Sequence, residues 1–222
     1  ILGDAVLARL ISARLVRLSL EHGQCEESAY GYVTHAITVG PVRRDYDAAY
    51  AFGSLALQVN QRFDDRRRRA KIQQQFHAHV NLWCRPMHTC IEYARQACRS
   101  GLASGDFLYA AYGASTESWP AIVSCQNLGD CVRSLEPNLA LVVQLRNSAF
   151  ADALRMVMAW ARALQGGTEA PLSLSHREGD GFDEAAYAET YRDNPFFSMF
   201  HAIARLHLGV VLDEPGQALA AL

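Results

Sequence analysis

Lysine is nearly missing from this sequence. Among 222 residues it occurs once, at Lys71, within Arg67-Arg68-Arg69-Ala70-Lys71-Ile72. A P-loop needs Gly-x4-Gly-Lys-Ser/Thr so that the lysine meets the phosphates. A protein kinase needs a strand lysine beneath a Gly-rich loop. Neither setting surrounds Lys71, which excludes a kinase or nucleotide hydrolase of those designs. A Gly-x-Ser-x-Gly elbow and a Cys-x-x-Cys pair are also missing. No apolar run approaches the ~18 residues of a membrane span, and no signal peptide is apparent. A net charge of -2 gives little to attract a nucleic acid. The expectation is a cytoplasmic chain with no membrane and no nucleic-acid partner. The sequence opens on Ile1 with no Met and is at once helical, as a piece cut from a longer protein would be.

What is present is a strong helical pattern. Half the residues are hydrophobic, enough for a folded core. In Asp45–Phe63, apolar or small residues fall at Ala49, Tyr50, Gly53, Ala56, Leu57 and Phe63, which is helix spacing. A second stripe, Phe52, Ala56, Val59 and Phe63, adjoins the first, so this helix is packed on two sides. Small Gly53 and Ala56 would let a neighbouring backbone come close, with Tyr50 and Leu57 as knobs.

Further helices are expected at Leu7–Leu20, with Leu7, Leu10, Ile11, Leu15 and Leu18 on one side, and at Ser28–Val39, broken by Gly40-Pro41. Asp45 caps the central helix, and Asp64-Asp65 turns the chain. Helices follow at Arg66–Trp83, stopped by Pro86, and at Met87–Ser100, with Gly101 and Gly105 as punctuation. Asp106 caps Phe107–Glu117. Leu128–Asn147 is helical with Pro137 as a point of division. Phe150–Leu164, Phe182–Tyr191 and Pro195–Leu212 complete the set, and Gly166–Gly181 is an irregular loop. Strand is expected in less than about a tenth of the chain, against a usual fraction of about 20–25%; Leu139–Val143 is the one candidate, and helix is preferred there.

The pattern repeats. Phe52-Gly53-Ser54-Leu55-Ala56-Leu57 lines up with Tyr93-Ala94-Arg95-Gln96-Ala97-Cys98, an offset of 41 residues, and Ala29-Tyr30-Gly31-Tyr32 with Tyr109-Ala110-Ala111-Tyr112, an offset of 80. A period near 40 fits long helical hairpins. The expected fold is therefore all-α, with tetratricopeptide-like hairpins stacked into an α-solenoid as one region over 1–222.

Three segments carry a resemblance: Ser28-Ala29-Tyr30-Gly31-Tyr32, Tyr50-x-Phe52-Gly53-x-Leu55-Ala56-Leu57, and Gly101-x3-Gly105-Asp106-x2-Tyr109-Ala110-Ala111-Tyr112. In this order they resemble the helical middle region of very large bacterial hybrid signalling proteins. That family joins a serine/threonine kinase-like domain, an AAA/STAND-type ATPase and a tetratricopeptide-like region, often followed by GAF and histidine-kinase modules. The resemblance spans about Ser28–Leu212 and implies a regulatory sensor or scaffold, with adjacent domains or a protein as partner and a small molecule or peptide as possible effector. It carries over no catalytic residue, because the family's catalytic modules lie outside it.

The six cysteines read as free thiols. His77, His79, Cys84, His88 and Cys90 lack zinc spacing: His77 and His79 point to opposite sides of a helix, and His77 and Cys84 lie about 10 Å apart by helix rise. No metal, cofactor or catalytic residue is therefore assigned. Leu174-Ser175-His176-Arg177-Glu178 lacks the helix and downstream proline of a phospho-acceptor histidine box. Arg66–Arg69 reads as a solvated helix start, with a docking patch for an acidic partner as the alternative. If hairpins stack, the first helix of each lines a concave groove, and Tyr30, Gln73, His77 and Tyr112 form the expected groove set. The competing expectation is an independent helical enzyme or ligand-binding domain with a buried pocket near Trp83, His88, Trp119 and Cys125.

Overall fold

Asp45 accepts a hydrogen bond from Ala48 N at 2.9 Å, and this cap starts the helix that the apolar stripes predict. The computed structural model describes residues 5–177, 181–214, 216 and 219. In chain order its helices are α1 (Ala5–His22), α2 (Ser28–Arg43), α3 (Tyr46–Phe63), α4 (Arg66–Phe76), a single π-helical turn (His77–Asn81) leading into α5 (Leu82–Cys84), α6 (Thr89–Ser104), α7 (Phe107–Thr116), α8 (Ser118–Ser124), α9 (Leu128–Gln144), α10 (Ser148–Leu164), α11 (Glu184–Thr190) and α12 (Pro195–Val211). The protein is all-α. Among the described residues there is no strand, only one antiparallel bridge between His176 and Phe182; Leu139–Val143 lies within α9.

Two compact units are formed, Ile1–Pro120 and Ala121–Leu222. In the first, helices pair as hairpins. Tyr32 of α2 stacks on Phe52 of α3 at 6.2 Å, and Gly40 faces Ala49. Gln73 of α4 bonds Ser100 of α6, while Asn81 further along reaches back to Thr89. α6 and α7 approach most closely, with Gly101 against Ala110 and Gly113 against Ala94. In each pair the contacts run in opposite directions along the two helices, so the partners are antiparallel. Across hairpins the order is reversed. Glu27 and Tyr30 of α2 meet Arg68 and Lys71 of α4, and Lys71 and His77 then meet Tyr109 and Thr116 of α7. Contacts advance together, so α2, α4 and α7 lie parallel, side by side.

The core of this unit joins Tyr32, Val33 and Ala36 of α2 to Ala56 and Val59 of α3 and to Ile72 and Phe76 of α4. Gly53 is buried, as expected, but its neighbour is not a backbone: a Cβ there would lie 2.7 Å from the Phe76 ring and 3.1 Å from Val80 Cγ1. The aligned positions Ala56 and Ala97 are both fully buried.

Several boundaries differ from the expectation. α2 continues through Gly40-Pro41 to Arg43. Pro41 falls in the last turn, where its missing N–H costs the single bond to the carbonyl four residues back, and left-handed Arg44 (φ 55°) ends the helix. Gly101 lies inside α6, and Gly105, at φ 77°, is the cap. Pro137 does not divide α9. The helix expected over Arg66–Trp83 contains the π turn, a wider loop that brings His77, Val80 and Asn81 inward together. α1 buries Ser12 and Val16, whereas Leu7, Leu10, Ile11 and Leu15 of the expected stripe are exposed.

In the second unit α9 pairs with α10, and α10 packs on α12. Gly166–Gly181 is non-helical where described, yet it is anchored: Leu174 is fully buried. Glu184 accepts from Leu174 N at 2.8 Å and His201 Nε2 at 2.8 Å, and lies 3.5 Å from Arg205. Burial alone would raise the Glu184 carboxyl; the bonds from His201 and Leu174 and the charge of Arg205 outweigh it and hold the carboxyl low.

Candidate functional site

The parallel helices α2, α4 and α7 present one polar and aromatic face. Its centre is Lys71. α4 begins at Asp65, whose carboxylate accepts from Arg67 N and Arg68 N, and this cap sets the rotation of the helix. Lys71 is half-buried, with Nζ 5.6 Å from the Tyr30 ring centroid and 4.9 Å from that of Tyr109. Such placement over ring faces stabilises a cation by about 0.5–2 kcal/mol. Among the described residues no carboxylate lies within ion-pair distance of it. Tyr112 stands one turn beyond Tyr109, edge to face at 5.3 Å. Burial, then the neighbouring Tyr30, Tyr112 and Asp106, push the Tyr109 hydroxyl up to about 12, so it stays a neutral donor. Gln75, one turn beyond Lys71, has a buried Oε1 with no hydrogen-bond partner. Such an orphan acceptor costs about 1–3 kcal/mol unless a donor from outside the chain meets it.

Of the expected groove residues, Tyr30 and Tyr112 lie on the helices of this face. Gln73 does not join them. It turns toward α6, where its Oε1 accepts from Ser100 Oγ at 2.9 Å and its amide approaches Gln96 at 3.5 Å. His77 is also set apart, because the π turn draws it into the α4–α7 interface, where it is 2% exposed and its Nε2 lies 3.2 Å from Thr116 Oγ1. Burial, with a smaller effect of His79, lowers its pKa to about 3 and keeps the imidazole neutral. Sequence reasoning missed Lys71, Gln75 and Tyr109 as members of the face. The spacing Lys71-x3-Gln75 was available, but which side of α4 meets α2 and α7 was not.

The basic cluster Arg66–Arg69 is largely occupied within the chain. Arg68 pairs with Asp65 at 2.8 Å and Glu27 at 3.0 Å, Arg69 with Asp64 at 2.7 Å, and Arg66 with Asp64 at 3.4 Å. These pairs tie the start of α4 to α2 and leave little charge for an acidic partner, so the docking-patch alternative is set aside. The buried-pocket alternative also fails geometrically: Trp83 is 58% exposed against Tyr46, and His88 is exposed. The six cysteines are free thiols. Among the described residues no group of His, Cys, Asp and Glu side chains could hold a metal ion, and no helix is long and apolar enough to cross a membrane. Compared with family models, with curated proteins and with solved structures, the chain gives no match.

Proposed function

We propose that this chain is a non-catalytic, tetratricopeptide-like scaffold or sensor module, and that the α2–α4–α7 face binds an acidic, extended segment of a protein partner or of an adjacent domain. The observation that carries this is Lys71: a single lysine, held between Tyr30 and Tyr109 on three parallel helices, with no carboxylate in ion-pair distance among the described residues. An ammonium on a preorganised aromatic platform favours a carboxylate. Antiparallel hairpins whose first helices run parallel support the repeat architecture. The resemblance to the helical region of bacterial kinase/ATPase signalling proteins supplies the setting, in which such a module relays a signal to catalytic domains elsewhere in a chain.

A fluorescent peptide with two adjacent aspartates and a leucine, titrated by anisotropy, tests this. The parent should bind saturably. Lys71→Gln should weaken binding about tenfold, the effect of one charge-assisted contact, with Lys71→Arg intermediate. Equal binding by Lys71→Gln would remove the face from consideration.

A further inference from the structure

In the second unit, residues of α9, α10 and the Gly166–Gly181 loop enclose a cleft of ≈ 380 Å³, within the range of small-molecule sites. Its floor and one wall are apolar: Leu139, Ala140 and Val143 of α9 face Met158 of α10. The polar lining residues include Arg155 and Arg162, two turns apart on α10, and His176 of the loop. The described part of the loop is tied to the rest of the unit. His176 exchanges both backbone hydrogen bonds with Phe182, at 3.1 and 2.8 Å, and adjacent Leu174 is fully buried.

Arg162 is the unusual member. Its Nη1 lies 3.1 Å from His176 Nε2. A guanidinium has no lone pair, so Arg162 donates and His176 accepts, with the imidazole neutral at that nitrogen. His176 is 5% exposed. Among the described residues Arg162 meets no carboxylate. A half-buried guanidinium whose partner is an imidazole has further N–H donors beyond the one that His176 accepts, and it lines the cleft. Arg155, by contrast, is engaged by Asp152 at 3.0 Å, and Asp152 in turn accepts from Tyr191 Oη at 2.8 Å. Glu136, exposed, is the one acidic group among the lining residues, against the two guanidinium groups of Arg155 and Arg162.

We propose that this cleft is a binding site for a small organic carboxylate with a short apolar chain. The carboxylate bonds Arg162, a fork suited to two parallel N–H···O contacts, and the chain lies along Leu139, Val143 and Met158. Inorganic phosphate would satisfy the guanidinium but leave the apolar wall bare; a neutral alcohol would cover the wall but leave Arg162 unmatched. Neither is expected to bind well.

Calorimetric titration of the whole chain with octanoate, octanol and inorganic phosphate decides this. Octanoate should bind saturably at one site, at least tenfold more tightly than either control. Arg162→Gln should weaken it about ten- to a hundredfold, the effect of losing a charge-assisted contact, and Arg162→Lys less. Ala140→Trp, at an exposed α9 position, fills the cleft while leaving the Arg162 side chain itself in place, and should abolish binding while the melting temperature stays near the parent's. That variant carries the test if Arg162→Gln does not fold. Unsaturable octanoate heats, octanol or phosphate binding as tightly as octanoate, or undiminished binding by Ala140→Trp would each overturn the proposal.

Discussion

Replacing Gly113 by alanine should destabilise the protein, although alanine is the better helix former. Gly113 sits mid-α7 against α6. A Cβ built there would lie 2.7 Å from Ala94 O and 2.7 Å from Cys98 N. Both atoms belong to the backbone of α6, so no side chain can swing aside. To reach an ordinary 3.4 Å contact the two helices must part by about 0.7 Å, and Gly101, 2.7 Å from Ala110 N by the same measure, must part with them. Overpacking of this kind costs about 1–3 kcal/mol, while the gain in helix propensity is at most ~1 kcal/mol. The net expectation is a loss of about 1–2 kcal/mol, which for a chain of this size lowers the melting temperature by about 2–8 °C. Thermal melts followed by circular dichroism at 222 nm measure it, with Gly101→Ala as a parallel case. If Gly113→Ala melts above the parent, α6 and α7 are not in backbone contact and the hairpin geometry is wrong.

Gly53→Leu should cost about 1–3 kcal/mol through overpacking against Phe76 and Val80; a melt above the parent would place Gly53 at the surface instead. His77 is neutral when folded, with its pKa lowered to about 3, but takes up a proton near pH 6.5 when unfolded. The unfolded state therefore binds more protons below pH 6.5, and stability should fall with pH there by about 1.4 kcal/mol per unit from this group. Denaturant titrations from pH 7 to pH 5 should show that slope reduced in His77→Gln; an unchanged slope would mean His77 is not buried. The purified chain should release no phosphate from ATP above background, since Lys71 lies on a helix beside two tyrosine rings and not in a phosphate-binding loop; turnover would refute that exclusion.

The all-α class was written in the sequence, because apolar residues at 3.6-residue spacing bury only as helices and the period appears before any tertiary contact forms. Caps were legible for the same local reason: Asp45 and Asp106 each bind an amide three residues on, whereas Asp65, expected to turn the chain, is the cap of α4. The burial of Gly53 and Ala56 also followed from pattern. The identity of their neighbours did not, since a stripe of small residues says that something approaches closely and not whether it is backbone or the Phe76 ring. Pro41 and Pro137 were over-read as breaks: each removes one N–H, yet α2 and α9 run on through them. The π turn at His77–Asn81 was not legible at all, and it decides that His77 is buried rather than ligand-facing. Lys71 gained its setting only from three helices, with Tyr30 41 residues before it and Tyr109 38 after it, meeting side by side. The cleft beside Arg162 likewise depends on a loop folding back onto α9 and α10, a choice made by Leu174 burial and the Glu184 clamp. Local periodicity fixes which residues are helical; only long-range packing fixes which of them face one another.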